Sequence, residues 1–376
     1  MTFSSTKRPT TRGIAAAVLA LAGSLALAAC GAANETSASS GAGAATGAEQ
    51  LSGTLNGAGS SAQQAAMQAW AAGFAGRQPG VTVNYDPVGS GGGREQFLSG
   101  GVAFAGSDAA LTDDEVTKAK ARCGSAGYFE LPDYVSPIAV VYNLPGVKDL
   151  QLSPDTAAKI FAGTITTWND PAIKADNPAA KLPGTAITPV HRSDDSGTTK
   201  NFTDWLHQTA PSVWTDEAGG TWPISGGEAG AQTSGMVAAV KAGAGAIGYA
   251  DESQAAGLGV AKIQVGKDYV PPTAEAAAKV VGTSKQVDGR GRYDHALAIN
   301  RTTTDSTEYP LVLVSYHIGC MQYPDRSTAD LVKAFFTYVV SAEGQESAAK
   351  SAGSAPIGDT SRQAALQALG AVASGS

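Results

Sequence analysis

Three loops in this 376-residue chain combine glycine with hydroxyl side chains just before a stretch with helical periodicity. Residues 57–62 read Gly-Ala-Gly-Ser-Ser-Ala, residues 89–93 read Gly-Ser-Gly-Gly-Gly, and residues 192–199 read Arg-Ser-Asp-Asp-Ser-Gly-Thr-Thr. The first turn of a helix presents backbone N–H groups that lack a partner within the helix, and it carries a partial positive charge. Glycine lets that backbone approach a ligand closely, and a hydroxyl adds a donor that can rotate. This pattern favours the binding of an anion.

The third loop is the most informative because it adds a cation and two carboxylates. Arg192 can grip a tetrahedral oxyanion with paired N–H groups, and Asp194 or Asp195 can orient its guanidinium. The remaining donors of the loop are Ser196, Gly197 and Thr198. Taken alone, the loop is equally compatible with a solvated polar turn.

The first two loops also admit other chemistry. Residues 57–62 fit the start of a dinucleotide fingerprint, with Asp86 as the acid for a ribose, but the third glycine is missing. Ser90 resembles a nucleophile in a glycine loop, but Val88 stands where a nucleophile elbow requires glycine. If Ser90 is not functional, the second loop is a flexible surface turn. A nucleotide-dependent enzyme and a serine hydrolase are therefore less favoured than an anion-binding protein.

The elements that must position these loops alternate along the chain. Residues 81–85 alternate as in a strand, and Met67, Trp70 and Phe74 have helical spacing. Strand, polar glycine loop and helix recur in that order, which predicts an α/β fold.

Several helix starts are predicted from capping residues. Thr112 with Glu115 forms one capping-box pattern, and Ser327 with Asp330 forms another, at the start of a helix that runs to Val340. A short helix is predicted over residues 94–98, after the second glycine loop.

The N-terminus indicates export. Residues 1–13 are polar and basic, and residues 14–29 are almost wholly apolar, a run shorter than the roughly 20 residues of a membrane-spanning helix. The run ends in Leu-Ala-Ala-Cys, which is similar to a bacterial lipobox with Cys30 as the lipidated residue. We therefore predict a lipoprotein signal peptide over residues 1–29 and, from its Ala, Gly, Ser and Thr content, a flexible linker over residues 30–50. An exported, tethered protein also argues against a free nicotinamide cofactor.

The charge balance excludes binding through the bulk electrostatic field. The formal charge is −7, and removal of Lys7, Arg8 and Arg12 with the signal peptide leaves −10. A chain this acidic is a poor binder of nucleic acid or of anionic membranes, so we expect no nucleic-acid partner. A bound anion must be held by local dipoles and one or two cations.

Two cysteines remain in the body, Cys123 and Cys320. An exported compartment permits a disulfide, but two buried thiols are equally compatible with the sequence. Neither cysteine has metal-type spacing and the four histidines are scattered, so no metal or other cofactor is expected.

The ordered set of motifs resembles the phosphate-binding protein of the bacterial phosphate-specific ABC importer. The resemblance runs from about Leu51 to Gly358. Besides the three loops, the motifs that carry it are Gly-Ser-Asp at 106–108, Tyr-Asn-Leu-Pro-Gly at 142–146, Lys-Ile-Phe-Ala-Gly at 159–163, Trp-Asn-Asp-Pro at 168–171 and Ile-Gly-Tyr at 247–249.

The resemblance implies a set of phosphate ligands. They are Ser61, the N–H of Ala62, Ser90, backbone of Gly91, Asp108, Arg192, Ser196, Gly197 and Thr198, with Asp194 bracing the arginine. Ser61 and Ala62 depart from the threonine and the aromatic residue that are common in the family. In the implied mechanism Asp108 accepts a hydrogen bond from the proton of phosphate, which sulfate lacks.

The resemblance also implies an α/β periplasmic-binding-protein-like fold of two lobes, with two crossover strands and the ligand in the cleft. We expect lobe one at 51–135 plus 308–376 and lobe two at 136–307, with crossings near Tyr134 and Tyr309. Both body cysteines then fall in lobe one, which favours their pairing. The implied partners are inorganic phosphate and the permease subunits, with membrane contact through the lipid anchor only. A binding protein for sulfate or molybdate and an exported phosphoester hydrolase are the alternatives.

Overall fold

The computed structural model describes residues 50–375. The signal peptide predicted over residues 1–29, the lipidation site at Cys30 and all but the last residue of the predicted linker lie outside the described residues. None of the helices in the described part is both long and apolar enough to span a bilayer.

The order of elements follows the predicted alternation of strand and helix. The strands are β1 (Ser52–Gly59), β2 (Gly80–Asp86), β3 (Phe104–Ser107), β4 (Tyr128–Tyr142), β5 (Gln151–Leu152), β6 (Thr188–Arg192), β7 (Glu228–Gly230), β8 (Ala246–Asp251), β9 (Gly259–Val265), β10 (Asp268–Val270), β11 (Lys285–Gln286), β12 (Leu297–Ala298), β13 (Val312–Cys320), β14 (Gln322–Tyr323) and β15 (Ala373–Ser374). The helices are α1 (Gln64–Arg77), α2 (Ser90–Leu98), α3 (Asp113–Cys123), α4 (Pro154–Phe161), α5 (Pro171–Asp176), α6 (Gly197–Thr209), α7 (Gln232–Ala242), α8 (Ala274–Thr283), α9 (Arg326–Val339), α10 (Ala342–Ala352) and α11 (Asp359–Gly370), with short 3₁₀ turns η1 (Gly124–Ala126) and η2 (Glu252–Gln254).

One long mixed sheet organises these elements into a two-lobed α/β fold. Its order is β2-β1-β3-β13-β4-β8-β6-β7. The strands β1, β2 and β3 pair in parallel on one side, and β8, β6 and β7 pair in parallel on the other. The antiparallel pair β4 and β13 joins the two sides. The sheet therefore has two parallel halves that meet at two central strands.

The strand β4 crosses from one half of the sheet to the other. Residues 128–137 of β4 pair with β13, and Ile138–Tyr142 pair with β8. The Tyr309 hydroxyl donates to the Ile138 carbonyl at 2.8 Å, exactly where β4 changes partner along the sheet. All fifteen residues of β4 are buried, so the crossing lies inside the protein.

Two helix starts differ in how well the sequence predicts them. The Thr112–Glu115 capping box is present at the start of α3. The predicted cap at Ser327 is wrong, because α9 begins at Arg326 and the Asp325 carboxylate accepts from the Thr328 N–H at 2.8 Å. Asp330 instead pairs with Arg326. Aspartate is as good an N-cap as serine, and it stands two residues earlier.

Cys123, the last residue of α3, and Cys320, the last residue of β13, form a disulfide with a Cα–Cα distance of 5.2 Å. The two cysteines are 197 residues apart in sequence. All the residues expected in lobe two lie between them.

A segment expected in lobe two returns to the first half of the sheet. Asp294 forms a β-bridge with Glu130 of β4, and the Glu130 N–H donates to the Tyr293 carbonyl at 2.9 Å. The Nη2 of Arg290 donates to the Leu111 carbonyl at 2.8 Å. This segment therefore braces the loop that follows β3.

Candidate functional site

Asp108 lies at the centre of the predicted site, one residue after the end of β3. Only 2% of its surface is exposed. Its Oδ1 accepts from the Ser315 hydroxyl at 2.6 Å, and its Oδ2 accepts from the Thr198 hydroxyl at 3.1 Å. Burial raises the pKa of this carboxyl, while hydrogen bonds from hydroxyls and the charge of Arg192 oppose the rise. Asp108 is a buried acid surrounded by donors.

The second glycine loop is helical rather than a turn. The helix α2 begins at Ser90, four residues before the predicted start at Arg94. The Ser90 hydroxyl accepts from the Asp108 N–H at 3.1 Å. Glycine is required at Gly93 because a Cβ there would collide with the backbone of β1 at Gly59. The loop is helical because its glycines permit this close packing against the strand, which periodicity alone does not reveal.

The Gly91 amide has a partner other than the one predicted for it. Its N–H donates to the Asp195 carbonyl at 3.1 Å. The structure thus gives the Gly91 amide a contact with the third loop instead of leaving it free for an anion.

Arg192 ends β6 and is held by the carboxylate predicted to brace it. Its Nε donates to Asp194 Oδ1 at 2.8 Å, and its Nη2 donates to Asp194 Oδ2. Burial acts to raise the pKa of Asp194, but hydrogen bonds and charge from Arg192 and the Gln232 N–H lower it overall. A paired guanidinium–carboxylate contact of this kind fixes the plane of the arginine. Arg192 is 3% exposed, so its remaining donors face the interior.

The start of α6 meets the start of α2. Ser196 is the N-cap, and its hydroxyl accepts from the Thr199 N–H at 3.2 Å. At Gly197 an added Cβ would lie 2.5 Å from Ser90 Oγ and 2.8 Å from the Asp108 Cβ. The two halves of the protein therefore touch at this residue, and any side chain would push them apart.

The first loop contributes hydroxyls from the turn before α1. The Ser61 and Thr233 hydroxyls are 2.9 Å apart, and the Thr233 N–H donates to Ser61 Oγ at 3.0 Å. The Ala62 N–H donates to Ser60 Oγ at 3.0 Å. Ser60 also contacts the Asp108 carboxylate, which it stabilises in its charged form. Ser60 thus links the first loop to Asp108.

Four residues of the cluster were missed by the sequence analysis: Ser60, Asn201, Thr233 and Ser315. Thr233 is 1% exposed and also accepts from Arg192 Nη1 at 3.3 Å. The Asn201 amide donates to the carbonyls of Asp108 and Gly197 at 2.6 and 2.9 Å. Residues 231–235, Ala-Gln-Thr-Ser-Gly, lie at the start of α7. They have the same combination of hydroxyl residues and glycine as the other loops. That pattern was the available signal for Thr233.

The structure brings most of the predicted ligands into one group around Asp108 and Arg192, whereas the Gly91 amide bonds the third loop. Hydrogen bonds and close contacts link Ser61 to Arg192 through Thr233, and Ser90 to Thr198 through Asp108. The first turns of α2, α6 and α7 and the turn before α1 all meet there. Helix N-termini favour negative charge, so the group is suited to a small anion. No three His, Cys, Asp or Glu side chains among residues 50–375 are arranged to hold a metal.

An aromatic stack between α6 and β8 supports this group. The rings of Phe202 and Tyr249 are stacked with centroids 4.3 Å apart. The Tyr249 hydroxyl accepts from the Arg192 N–H at 3.3 Å and lies 2.8 Å from the Thr199 hydroxyl. The stack therefore connects β8 to both ends of the third loop.

Comparison with known proteins gives relatives along most of the chain. Residues 44–343 match the PBP superfamily domain. The phosphate-binding protein PstS2 of Mycobacterium bovis is 37% identical over 347 residues, covering 89% of this chain and 92% of the relative. The phosphate-binding protein PstS 3 of Mycobacterium tuberculosis is 38% identical over 375 residues, covering 96% of this chain and 98% of the relative.

Solved structures share the fold. The phosphate-binding protein of Stenotrophomonas maltophilia superposes with a TM-score of 0.62 at 18% identity, covering 84% of this chain and 94% of that chain. A periplasmic phosphate-binding protein (PfluDING), solved with phosphate bound, superposes with a TM-score of 0.65 at 23% identity, covering 83% of this chain and 92% of that chain. At these identities the likeness extends to the fold.

Proposed function

This chain belongs to the PstS phosphate-binding proteins of the PBP superfamily, and on that premise we propose that it binds inorganic phosphate and delivers it to the phosphate ABC importer. The connected group around Asp108 is the proposed binding site. Its residues are Ser61, Ala62, Ser90, Asp108, Arg192, Ser196, Gly197 and Thr198, with Thr233 added.

The buried Asp108 carboxylate is the observation that carries the proposal. A buried carboxylate disfavours the binding of an anion that carries no proton, because an unpaired carboxylate repels a fully ionised ligand. Phosphate near neutral pH retains a proton and can donate it in a hydrogen bond to Asp108. The hydroxyls of Ser315, Thr198 and Ser60 occupy three positions on the carboxylate oxygens, and a carboxylate has about four acceptor positions. Capacity therefore remains for the proton of the ligand.

The same geometry argues against sulfate as the ligand. Sulfate has no proton at neutral pH, so it would leave the Asp108 carboxylate facing it unpaired. An unsatisfied buried polar group costs about 1–3 kcal/mol, and more for a charged group. Sites built to pair a hydrogen bond reject analogues that lack it for this reason.

Closure of two lobes supplies the remaining part of the mechanism. We assign lobe one to residues 51–135 and 308–376 and lobe two to residues 136–307. Asp108 and Ser90 then face Thr198 and Gly197 from opposite sides of the cleft. Closing brings the neutral donors of lobe one against the arginine of lobe two and removes water from between them.

The proposed location follows from the N-terminus. We propose that residues 1–29 direct export and that Cys30 is lipidated, so that residues 30–50 tether the body to the outer face of the membrane. The charge of −10 that remains without the signal peptide keeps the body from binding the anionic surface itself.

Calorimetric titration of the full chain with phosphate and with sulfate tests the proposal. We expect phosphate to bind at micromolar concentration or below and sulfate to compete poorly. Equal binding of both anions would favour a general oxyanion-binding protein. Release of phosphate from a phosphoester would favour a hydrolase, and the absence of binding would overturn the proposal.

A further inference from the structure

Arg94 is a buried guanidinium that the proposed ligand set does not use. It lies on α2, four residues after Ser90, and is 6% exposed. Its Nε donates to Glu115 Oε1 at 2.8 Å, and its Nη1 donates to the Ser107 hydroxyl at 3.0 Å. These contacts fix the guanidinium in lobe one beside the residue that precedes Asp108.

The third donor group of Arg94 faces lobe two. Its Nη2 lies 3.7 Å from Asp195 Oδ1, and the Asp195 side chain is 51% exposed. The Asp195 carbonyl accepts from the Gly91 N–H at 3.1 Å. A Cβ at Gly91 would collide with the Asp195 side chain. Asp195 therefore touches α2 through both its backbone and its carboxylate.

Both contacts join residues of opposite lobes, so they exist only while the cleft is closed. We propose that Asp195 and Arg94 form a clasp at the rim of the site that slows the release of bound phosphate. This inference rests on the proposed phosphate binding. Asp195 touches no predicted ligand side chain of lobe one, and it acts as a positioning residue by keeping the lobes together.

Other charges near the clasp set the limits of its strength. Glu115 already pairs with Arg94, so Asp195 is the second carboxylate at one cation. Lys200, in the first turn of α6, interacts electrostatically with Arg94, Glu115 and Asp195. Pairs that are partly open to water are weakened by salt. The contribution of the clasp should therefore be modest and dependent on ionic strength.

The test is the rate at which radiolabelled phosphate leaves the full chain when it is chased with unlabelled phosphate. We expect Asp195→Asn to release phosphate about two- to fivefold faster than the wild type. The difference should shrink at high salt. Asp268→Asn, which makes the same change at an exposed position on β10, should match the wild type.

A double-mutant cycle isolates the pair. Arg94→Gln also removes the contacts of Arg94 with Glu115 and Ser107. Its effect alone is therefore not informative, and the cycle uses only the coupling energy between Arg94→Gln and Asp195→Asn. We expect Asp195→Asn to have no further effect on release once Arg94→Gln is present. A second variant, Asp195→Ser, keeps the test available if Asp195→Asn does not fold.

The outcomes separate the clasp from the binding function. If the wild type retains no phosphate, the proposed function fails. If the wild type retains phosphate and Asp195→Asn releases it at the same rate, or if the two substitutions act additively, the clasp is overturned.

Discussion

The Thr198 hydroxyl donates a hydrogen bond to Asp108 Oδ2 at 3.1 Å, although the two residues are 90 positions apart in the sequence. Asp108 follows β3, and Thr198 lies in the first turn of α6. The partners of this buried acid therefore come from segments that are far apart in the chain.

The first prediction concerns selectivity. Asp108→Asn replaces an oxygen acceptor by an N–H₂ donor of similar shape, so it removes the repulsion of sulfate and the acceptor for the phosphate proton. We expect the variant to bind sulfate and to discriminate less between the two anions. Competition calorimetry with both anions measures this, and unchanged selectivity would remove Asp108 from its role.

The second prediction concerns the cation. Arg192→Ala removes the charged donor and leaves the half-buried Asp194 carboxylate without its guanidinium partner, so we expect binding to weaken by at least about 1.5–3 kcal/mol. Arg192→Lys keeps the charge but loses the paired contact with Asp194, and we expect an intermediate affinity. Titration of phosphate into each variant measures the change. An alanine variant with wild-type affinity would exclude Arg192 from the site.

The third prediction tests Thr233, one of the four residues that the sequence analysis missed. Thr233→Val removes the hydroxyl that contacts both Ser61 and Arg192 while keeping a similar shape. We expect about 1 kcal/mol of lost affinity, which is roughly a fivefold rise in the dissociation constant. Thr233→Ser keeps the hydroxyl and serves as the control. Equal binding by the valine and serine variants would contradict a role for the hydroxyl.

The fourth prediction concerns the contact between lobes. Gly197→Ala places a methyl group 2.5 Å from Ser90 Oγ, so the cleft can no longer close fully. We expect a loss of phosphate affinity of at least about tenfold, equivalent to about 1.4 kcal/mol. Gly76→Ala in α1, where an added Cβ meets nothing within 4 Å, is the matched control. The idea fails if both alanine variants bind phosphate like the wild type.

The fifth prediction concerns stability and pH. Burial is the main cause that raises the pKa of Asp251 to about 7, although hydrogen bonds from Ser253, Ser136 and Tyr134 act in the opposite direction. Between about pH 4 and pH 7 the unfolded chain has lost this proton while the folded protein retains it. The folded state binds more protons in that window, so this group makes stability fall as pH rises toward 7 and level off above it.

Asp251→Asn removes that contribution because asparagine does not ionise. The wild type loses free energy of unfolding through this group as the pH rises from about 5 to about 8, and the variant does not. We expect the difference in the free energy of unfolding, variant minus wild type, to increase by about 2 kcal/mol or more over that change of pH. Urea unfolding at both pH values measures the free energy of unfolding, with Asp268→Asn as the exposed control. An Asp251→Asn protein with the pH dependence of the wild type would refute the assignment.

The sequence predicted the alternating elements and the residues of three loops because both are local patterns. Met67, Trp70 and Phe74 are buried on α1 as their spacing indicates, and the Thr112 capping box is present. Local signals also indicated that Arg192 pairs with a carboxylate of its own loop, Asp194 or Asp195, and the family resemblance implied Asp194.

The misses depend on contacts between distant segments. The helical state of Gly91 and Gly93 comes from packing against Asp195 and β1, which are remote in sequence. Ser315 reaches Asp108 only because β13 lies beside β3 in the sheet. The return of Asp294 to Glu130 has no local pattern at all.

The bond between Cys123 and Cys320 encloses the whole middle of the chain in a covalent ring. The two ends of that ring lie at the last residue of α3 and the last residue of β13, and the ring contains every residue of β6, α6 and α7. The disulfide holds the two ends of this ring together. The unfolded chain loses much of its freedom once the ring has formed. In a reducing compartment the chain lacks this restraint, so it is easier to keep unfolded. The oxidised protein is the more stable form.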